Sequence, residues 1–293
     1  MGVVNVTPDS FSDGGSYLET STAVEHGLAL AAQGADIVDV GGESTRPGSH
    51  RVAAAEEMRR VLPVVRELAA AGVLVSVDTM RAGVAHAALG AGAQAINDVS
   101  GGLADPDMLR CVAQADVPYI AMHWRGHSVD MQHRAVYSDV VADVVSELGA
   151  RLQAIVDAGV DIERVVLDPG LGFAKQPGHN WDLLSHLGEL RSLGRPLLVG
   201  ASRKSFLADL RAAAGDPAPA PSVRDDATAA VTALAAAAGA FCVRVHDVAS
   251  SLDAVRVAAA WSHESRSRAT TRWPPAAKPR RQHSPLPATS QHT

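Results

Sequence analysis

One pattern recurs along the chain and restricts the folds it can adopt: an alanine-rich amphipathic stretch ends at glycine, and a short β-branched run follows. Gly34 precedes DIVDV, Gly72 precedes VLVSVD and Gly239 precedes FCVRV. A glycine after a helix supplies a left-handed cap. A continuous apolar run of four to six residues is typical of a strand buried on both faces. The sequence therefore predicts helices that alternate with buried strands.

The number of these runs indicates how the sheet is arranged. Eight are found, in the order VVNV, DIVDV, VLVSVD, QAIND, PYIAMH, RVVLD, RPLLVG and FCVRV. Strict alternation of strand and helix favours a parallel sheet. Eight units favour closure into a (β/α)8 TIM barrel over an open doubly wound sheet, and such a barrel needs roughly 250 residues. The chain of 293 residues is therefore predicted to be an α/β protein with one domain, over residues 1–261.

The remaining segment, residues 262–293, has a different composition. It shows no apolar period, is rich in Ser, Thr, Pro and Arg, and carries six Lys or Arg residues against one acid, Glu264. Such a composition predicts a disordered tail. Its basic cluster is short, so a nucleic-acid or membrane arm is the less favoured interpretation. The formal net charge of the whole chain is −6, which argues against nucleic acid as the main partner, and residues 1–261 hold a net −11.

Cysteine usage and hydropathy indicate a cytoplasmic protein. Cys111 and Cys242 lie inside apolar segments, so a disulfide framework is not expected. The N-terminal sequence MGVVNVTPDSF has no basic flank followed by an apolar core, so no signal peptide is predicted. The long uncharged stretch 227–243 contains Thr228, Thr232 and Gly239, and it predicts a buried helix followed by a strand, not a membrane span.

Polar residues follow the predicted strands where the active sites of such barrels are built, at the carboxyl ends. Any one of them could be a helix cap or a structural ion pair. Because eight ends converge on one rim, a ligand site explains the set better. These ends carry Asn5, Glu43, Asp78, Asn97 with Asp98, His123, Asp168, Ser202 with Arg203 and Lys204, and Arg244 with His246 and Asp247.

The residue types at these ends suggest a ligand. Carboxylates and amides at Asp78, Asn97 and Asp168 suit a flat heterocycle, since a carboxylate accepts paired hydrogen bonds from a guanidine-like edge. Lys204 could donate to a ring carbonyl or ring nitrogen. Arg244 and His246 lie two residues apart on one strand, so they point the same way and suit an anion such as phosphate.

Two long loops are candidate lids over this rim. The segments 7–16 (TPDSFSDGGS) and 41–50 (GGESTRPGSH) are rich in Gly, Ser and Pro, as mobile functional loops often are. Ordinary surface turns remain the alternative, because DGG and RPG are turn sequences. The side chains of interest on these loops are Phe11, Asp13, Thr45 and Arg46.

The motifs taken together resemble a known family. MGVVNVTPDSFSDGG, DVGGESTRPG, SVDTMR, INDVSGG, MHWR, LDPGLGF, GASRKSF and VRVHDV occur in this order, and residues 1–261 closely resemble dihydropteroate synthases of the folate pathway, of an actinobacterial type. The resemblance implies the barrel. It also implies a reaction that joins 6-hydroxymethyl-7,8-dihydropterin pyrophosphate to p-aminobenzoate and releases pyrophosphate and 7,8-dihydropteroate. It suggests a homodimer, and both substrates are small molecules.

The resemblance also implies roles for individual residues. A pterin site would consist of Asp78, Asn97, Met122, Asp168, Phe173 and Lys204. A p-aminobenzoate site would consist of Phe11, Thr45, Arg46, Pro47 and Ser205, and Ser205 opens a predicted helix whose N-terminus suits a carboxylate. Asn5, Arg244 and His246 would bind pyrophosphate, with Asn5 as a protein ligand of Mg²⁺.

A dissociative mechanism follows from the charges of these groups. Mg²⁺, Arg244 and His246 would neutralise the leaving pyrophosphate, which leaves a cation on the pterin methylene carbon. Asp78 and Asp168 would stabilise positive charge on the ring. Asp13 would stabilise the cation or orient the amine. The expected catalytic residues are Asp13, Lys204, Arg244 and His246.

Three alternatives keep the barrel and change the activity. Methyltetrahydrofolate:corrinoid methyltransferases share the barrel and pterin site, but they would not need the segments FSDGG, STRPG and SRKSF. A non-catalytic paralogue would be marked by lost lid or SRK residues, and none is missing. A class I aldolase would use Lys204 as its Schiff-base lysine.

Overall fold

A computed structural model describes residues 1–7, 16–46, 48–213 and 221–261. Phe11, Asp13, Pro47 and the tail predicted over residues 262–293 lie outside the described residues. The strands are β1 (Gly2–Asn5), β2 (Val38–Gly41), β3 (Val75–Asp78), β4 (Ala95–Asp98), β5 (Tyr119–Met122), β6 (Val165–Asp168), β7 (Leu198–Val199) and β8 (Cys242–Val243).

Helices alternate with these strands throughout the described part of the chain. They are α1 (Ser16–Ala32), α2 (Ala54–Ala70), α3 (Ala82–Gly90), α4 (Met108–Ala115), α5 (Val140–Asp157), α6 (Pro177–Ser185), α7 (Leu187–Arg191), α8 (Phe206–Ala213), α9 (Asp225–Ala237) and α10 (Val248–Trp261). Short 3₁₀ turns cover Met131–Arg134, Ile162–Arg164 and Pro221–Arg224. Among the described helices, none is long and apolar enough to cross a membrane.

The eight strands close into a barrel. Strands β1 to β6 form one parallel sheet in chain order, and β7 pairs in parallel with β8. Parallel bridges from Leu167 to Leu197 and from Gly2 to Val245 join the two sheets on both sides. At the second junction the Val3 N–H donates to the Val245 carbonyl at 3.1 Å. The predicted (β/α)8 TIM barrel is therefore confirmed.

Side chains that point into the barrel lie two residues apart on each strand and form layers across its interior. Ile37, Ile120, Val166 and Leu198 pack together with Met1 as one apolar cluster. Residues two apart on a strand face the same side, so the next inward positions on three of these strands are Asp39, Met122 and Asp168. The apolar layer therefore fills one end of the barrel, and the polar side chains collect at the carboxyl end. A larger apolar cluster fills the space between the strands and the surrounding helices.

Two helical glycines differ in how closely a neighbouring side chain packs against them. Gly27, on α1, is buried, and a Cβ there would lie 2.8 Å from Cδ1 of the fully buried Leu68 on α2. Gly149 lies inside α5, and a Cβ there would meet Cδ2 of Leu193 at 3.5 Å, an ordinary contact.

The same substitution should therefore have opposite effects at the two sites. Gly27→Ala should lower the free energy of unfolding by about 1–3 kcal/mol, because it overpacks the α1–α2 contact. Gly149→Ala should raise it by up to about 1 kcal/mol, because alanine is the better helix former. Chemical denaturation of both variants measures this, and equal effects would contradict the packing described.

Candidate active site

An arginine at the end of β8 joins carboxylates from two other strands. The Arg244 Nε donates to Asp39 Oδ2 at 2.6 Å, and its Nη2 donates to Asp78 Oδ2 at 2.8 Å. The Asn97 amide nitrogen donates to the same Asp39 oxygen at 2.9 Å. This donation turns the amide carbonyl of Asn97 away from Asp39 and leaves it to accept from a ligand. Side chains from β2, β3, β4 and β8 are thus linked in one network.

The remaining members of the predicted pterin site lie beside this network. Gly200, just after β7, marks the centre. A Cβ on this glycine would lie 3.8 Å from Asp168 Oδ2, 3.8 Å from the Arg244 Cβ and 4.0 Å from Lys204 Nζ. The fold therefore brings Asp78, Asn97, Asp168, Lys204 and Arg244 together at the carboxyl end of the barrel. A glycine at position 200 leaves open space between their charged groups.

Asp39 belongs to this site and was missed by sequence reasoning. It is fully buried, and it accepts hydrogen bonds from the Ser76 hydroxyl as well as from Arg244 and Asn97. The predicted site residues lie at or just beyond the strand ends, whereas Asp39 lies two residues before the end of β2. A carboxylate inside the apolar run DIVDV is the signal that could have identified it.

Burial sets the electrostatics of the carboxylates. Burial raises the pKa of Asp78 to about 7; the Arg244 guanidinium opposes this rise and the Asp39 charge adds to it. Burial also raises the pKa of Asp168, against the nearby Lys204 ammonium. Both groups therefore hold protons more tightly than ordinary aspartates, and a ligand that donates N–H groups to them would favour their ionised form.

Lys204 combines a hydrogen bond with an aromatic contact. Its ammonium donates to the Leu171 carbonyl and lies 4.9 Å from the centroid of the Phe173 ring. Burial lowers its pKa to about 8, with Asp168 acting in the opposite direction. The ammonium is thus held between a backbone carbonyl, an aromatic ring and a carboxylate.

An apolar wall stands beside the charged groups. Met80, Val99 and Met122 form a small buried cluster, and Phe173 packs against it. Met122 is 3% exposed. An aromatic ring and thioether side chains suit contact with the face of a flat ring. The pocket therefore offers hydrogen-bonding groups and apolar contact together.

The glycine-rich turn after β6 orients Asp168. The Gly170 N–H donates to Asp168 Oδ1 at 2.7 Å, and the Gly172 N–H donates to Asn180 Oδ1 at 2.6 Å. Gly170 has a φ of 68°, and a Cβ there would collide with the His123 carbonyl oxygen. The turn therefore needs glycine because of its left-handed backbone and close packing.

His246 lies beside Ser202, and burial determines its charge. Its Nδ1 lies 2.9 Å from the Ser202 hydroxyl. Burial, reinforced by Arg244 and Arg203, lowers its pKa to about 3. The imidazole is therefore neutral at pH 7, and its predicted role in neutralising a bound pyrophosphate stays a prediction. It can still contribute a hydrogen bond, and Arg244 carries the charge on this side of the site.

The described part of the second lid loop is tied to the barrel at both ends. Glu43 accepts from the Val52 N–H at 3.1 Å and pairs with Arg81 at 2.9 Å. Farther along, the Ser128 hydroxyl donates to the Thr45 carbonyl at 3.2 Å. Arg46 is exposed. The loop therefore extends over the rim toward the segment that follows β5.

Several strand-end residues have structural roles, as the alternative interpretation expected. Asp98 accepts from the Ser100 N–H at 2.8 Å and from the Tyr119 hydroxyl at 2.8 Å, so it shapes the turn after β4. Asp247 accepts from the Ser250 hydroxyl at 2.7 Å, near the start of α10. Among the predicted substrate contacts, Asn5 ends β1 and Ser205 is exposed directly before α8.

Replacement of Asp39 tests the network. Asp39→Asn should lower the free energy of unfolding by on the order of 3 kcal/mol, because it removes one anion from a buried arginine. It should also lower the pKa of Asp78, because the Asp39 charge raises it. Chemical denaturation and carboxyl ¹³C NMR titration measure these changes.

The matched control is Ser76→Ala, which removes one hydrogen bond to Asp39 but leaves both partners of Arg244 in place. It should cost only about 1 kcal/mol of unfolding free energy. Equal losses for the two variants would show that the arginine does not depend on Asp39.

Comparisons with known proteins place the chain in a family. Residues 1–246 match the model of the family described as pterin binding enzyme. The dihydropteroate synthase of Mycobacterium leprae is 55% identical over 264 residues, which cover 90% of this chain and 93% of that protein.

Solved structures agree with this match. Xanthomonas albilineans dihydropteroate synthase with 4-aminobenzoic acid has a TM-score of 0.83 and 45% identity, with 90% of this chain and 92% of that chain covered. The same organism's enzyme in complex with 7,8-dihydropteroate has a TM-score of 0.80 and 42% identity, with 90% and 93% covered. The chain therefore belongs to the pterin-binding enzyme family, whose relatives compared here are dihydropteroate synthases.

Proposed function

We propose that this chain is a dihydropteroate synthase: it condenses 6-hydroxymethyl-7,8-dihydropterin pyrophosphate with p-aminobenzoate and releases 7,8-dihydropteroate and pyrophosphate. The observation that carries the proposal is the convergence of Asp78, Asn97, Asp168 and Lys204 beside Arg244 and an apolar wall. The names of the relatives, matched over most of their length, favour this function over the methyltransferase and aldolase alternatives.

The pterin ring fits the pocket by its hydrogen-bonding pattern. Asp168 is fixed by the Gly170 N–H, so its second oxygen can accept from the guanidine-like edge of a pterin. Asn97 presents its carbonyl oxygen because its amide nitrogen is engaged by Asp39. Lys204 donates to the ring, and Met122 and Phe173 contact its face.

The reaction is proposed to be a dissociative substitution. The bond between the methylene carbon and the bridging oxygen breaks, and its electron pair leaves with the pyrophosphate. The p-aminobenzoate nitrogen then attacks the carbon and loses one proton to water. The negative charges of Asp78 and Asp168 stabilise the cation that forms on the pterin. Orientation of the two reactants in one pocket can contribute about 7–11 kcal/mol.

The leaving group is proposed to lie at the β8 side of the rim. Arg244 supplies positive charge there, His246 supplies a neutral hydrogen-bonding group, and Asn5 ends the neighbouring strand. Arg244 must exchange part of its contact with Asp39 or Asp78 for phosphate oxygens. The network is therefore poised to respond when the anion binds.

We propose that a magnesium ion would be held here together with the substrate. Within the described residues, no three His, Cys, Asp or Glu side chains are placed to hold a metal ion. This agrees with the chemistry of Mg²⁺, which keeps several waters and is usually held by few protein groups plus substrate phosphates. Asn5 would supply one oxygen. When bound, Mg²⁺ would neutralise charge on the pyrophosphate.

The p-aminobenzoate site is proposed to lie between α8 and the second lid loop. Ser205 directly precedes α8, whose N-terminal amides suit a carboxylate. Thr45 and Arg46 approach from the lid loop, and Phe11, Pro47 and the catalytic candidate Asp13 belong to the segments outside the described residues. The proposal further includes a cytoplasmic homodimer, which light scattering after size exclusion would test.

Two substitutions separate the proposed substrate sites. Asp168→Ala should abolish measurable binding of the pterin substrate, because it removes the acceptor of its paired hydrogen bonds. Arg46→Ala should raise the KM for p-aminobenzoate by more than about ten-fold while the KM for the pterin changes little. Steady-state formation of 7,8-dihydropteroate measures both variants. Turnover within a few-fold of the parent in both would refute the assignment of the pockets.

An isotope experiment tests the dissociative path. Pterin pyrophosphate is labelled with ¹⁸O at the oxygen that joins the methylene carbon to phosphorus. It is then incubated with enzyme and Mg²⁺ but without p-aminobenzoate. Formation of the cation before attack should let the label exchange into non-bridging positions of recovered substrate. If recovered substrate keeps its label in place while the enzyme turns over normally with p-aminobenzoate, the attack and the departure are concerted.

A further inference from the structure

Lysine is rare in this chain, and its placement is informative. The chain has 26 Lys and Arg residues, but only Lys175, Lys204 and Lys278 are lysines. Lys278 lies outside the described residues, and the other two lie on either side of the loop that carries Phe173. Arginine is a larger, planar cation, whereas lysine presents a compact ammonium. Two lysines at one loop of an arginine-rich protein therefore indicate a need for compact cations there.

Lys175 is buried below the apolar wall of the pocket and has no role in the mechanism above. It is 3% exposed, and its ammonium donates to the Phe173 carbonyl at 3.1 Å. The same ammonium donates to His123 Nδ1 at 3.0 Å. The Glu147 carboxylate can only accept, so His123 carries its proton at Nε2, 2.9 Å from Glu147 Oε2, and accepts at Nδ1.

The charges that face Lys175 come from several elements. Asp168, at the end of β6, and Glu147, on α5, favour the charged form of Lys175. Lys204, before α8, and Arg125, after β5, oppose it. Burial is the largest influence and lowers the pKa of Lys175 to about 7. Burial, and to a smaller extent the charge of Lys175, lowers the pKa of His123 to about 4, which keeps the imidazole neutral.

The backbone between Lys175 and Phe173 is strained. Ala174 has a φ of 47°, in the left-handed region that residues other than glycine rarely adopt. Its carbonyl accepts from the Tyr137 hydroxyl at 2.9 Å. Such a conformation persists only where surrounding contacts enforce it. The Lys175 ammonium, bonded to the carbonyl on the other side of Ala174, is one of these contacts.

We propose that Lys175 is a positioning residue of the pterin pocket: with His123 and Glu147 it fixes the loop of residues 168–175, so that Phe173 and Asp168 are held in the orientation that receives the pterin ring. The backbone N–H of His123 also donates to the backbone carbonyl of Asp168 at 2.8 Å, so His123 is bonded to the same loop through its main chain as well. The identity of the ligand rests on the proposed function; the network itself does not.

Replacement of Lys175 by methionine tests this role. Lys175→Met keeps the length of the side chain and removes its donors, so it should weaken binding of 6-hydroxymethylpterin, measured alone by calorimetry, by about ten-fold or more. The KM for the pterin substrate should rise, while the KM for p-aminobenzoate should stay within about two-fold, since Lys175 is bonded only to the pterin side of the pocket. A general structural defect would raise both constants.

The matched control is Arg110→Met, which removes a cation from α4 whose side chain is 68% exposed. It should leave pterin binding unchanged. If Lys175→Met binds the pterin as tightly as the parent, the positioning role is overturned while the proposed function stands. If the parent itself binds no pterin, the proposed function fails instead.

A second measurement follows Lys175 in the unsubstituted protein, so it does not require Lys175→Met to fold. Protein labelled with [ε-¹³C]lysine should give three side-chain signals, assigned with Lys204→Met and Lys278→Met. Addition of 6-hydroxymethylpterin should shift the signals of Lys175 and Lys204. An unmoved Lys175 signal in the presence of bound pterin would overturn the proposal.

Discussion

The candidate site depends on one partly buried cation. Arg244 lies among carboxylates from different strands, and its ion pairs with Asp39 and Asp78 allow two acids to remain in the barrel interior. An unpaired charge there would be strongly disfavoured, and removal of one partner is more costly than replacement of the whole group. Because Asp39 also accepts from Asn97, the arginine indirectly sets the orientation of an amide that it does not touch.

The layers of the barrel explain why this cation can exist only at the carboxyl end. The opposite end is filled by an apolar cluster that includes Ile37, Ile120 and Val166. The strand period places Asp39 and Asp168 directly above two of these residues. The polar layer is thus closed from below and open only toward the rim, where the loops lie. A ligand that enters from the rim meets charged groups already arranged by strands, with little reorganisation needed.

Most of the fold and much of the site could be predicted from the sequence, and the exceptions have physical reasons. The eight strands and the convergence of Asp78, Asp168 and Arg244 follow from periodicity and from the rule that strand ends meet. Asp39 was missed because it lies inside a strand, and Lys175 because it lies seven residues beyond β6, in a loop placed by tertiary contacts. The burial of His246, which lowers its pKa, could not be read from its motif.

Two lysines, Lys175 and Lys204, show how the loop after β6 can be both strained and rigid. Lys204 donates to the Leu171 carbonyl and Lys175 to the Phe173 carbonyl, so two ammonium groups hold carbonyls two residues apart in one turn. Both face Asp168, and its carboxylate favours the charged form of each lysine. A cation formed on a bound pterin would add to this positive charge. The second carboxylate, Asp78, would offset that added charge; burial raises its pKa, and the Arg244 guanidinium beside it opposes the rise.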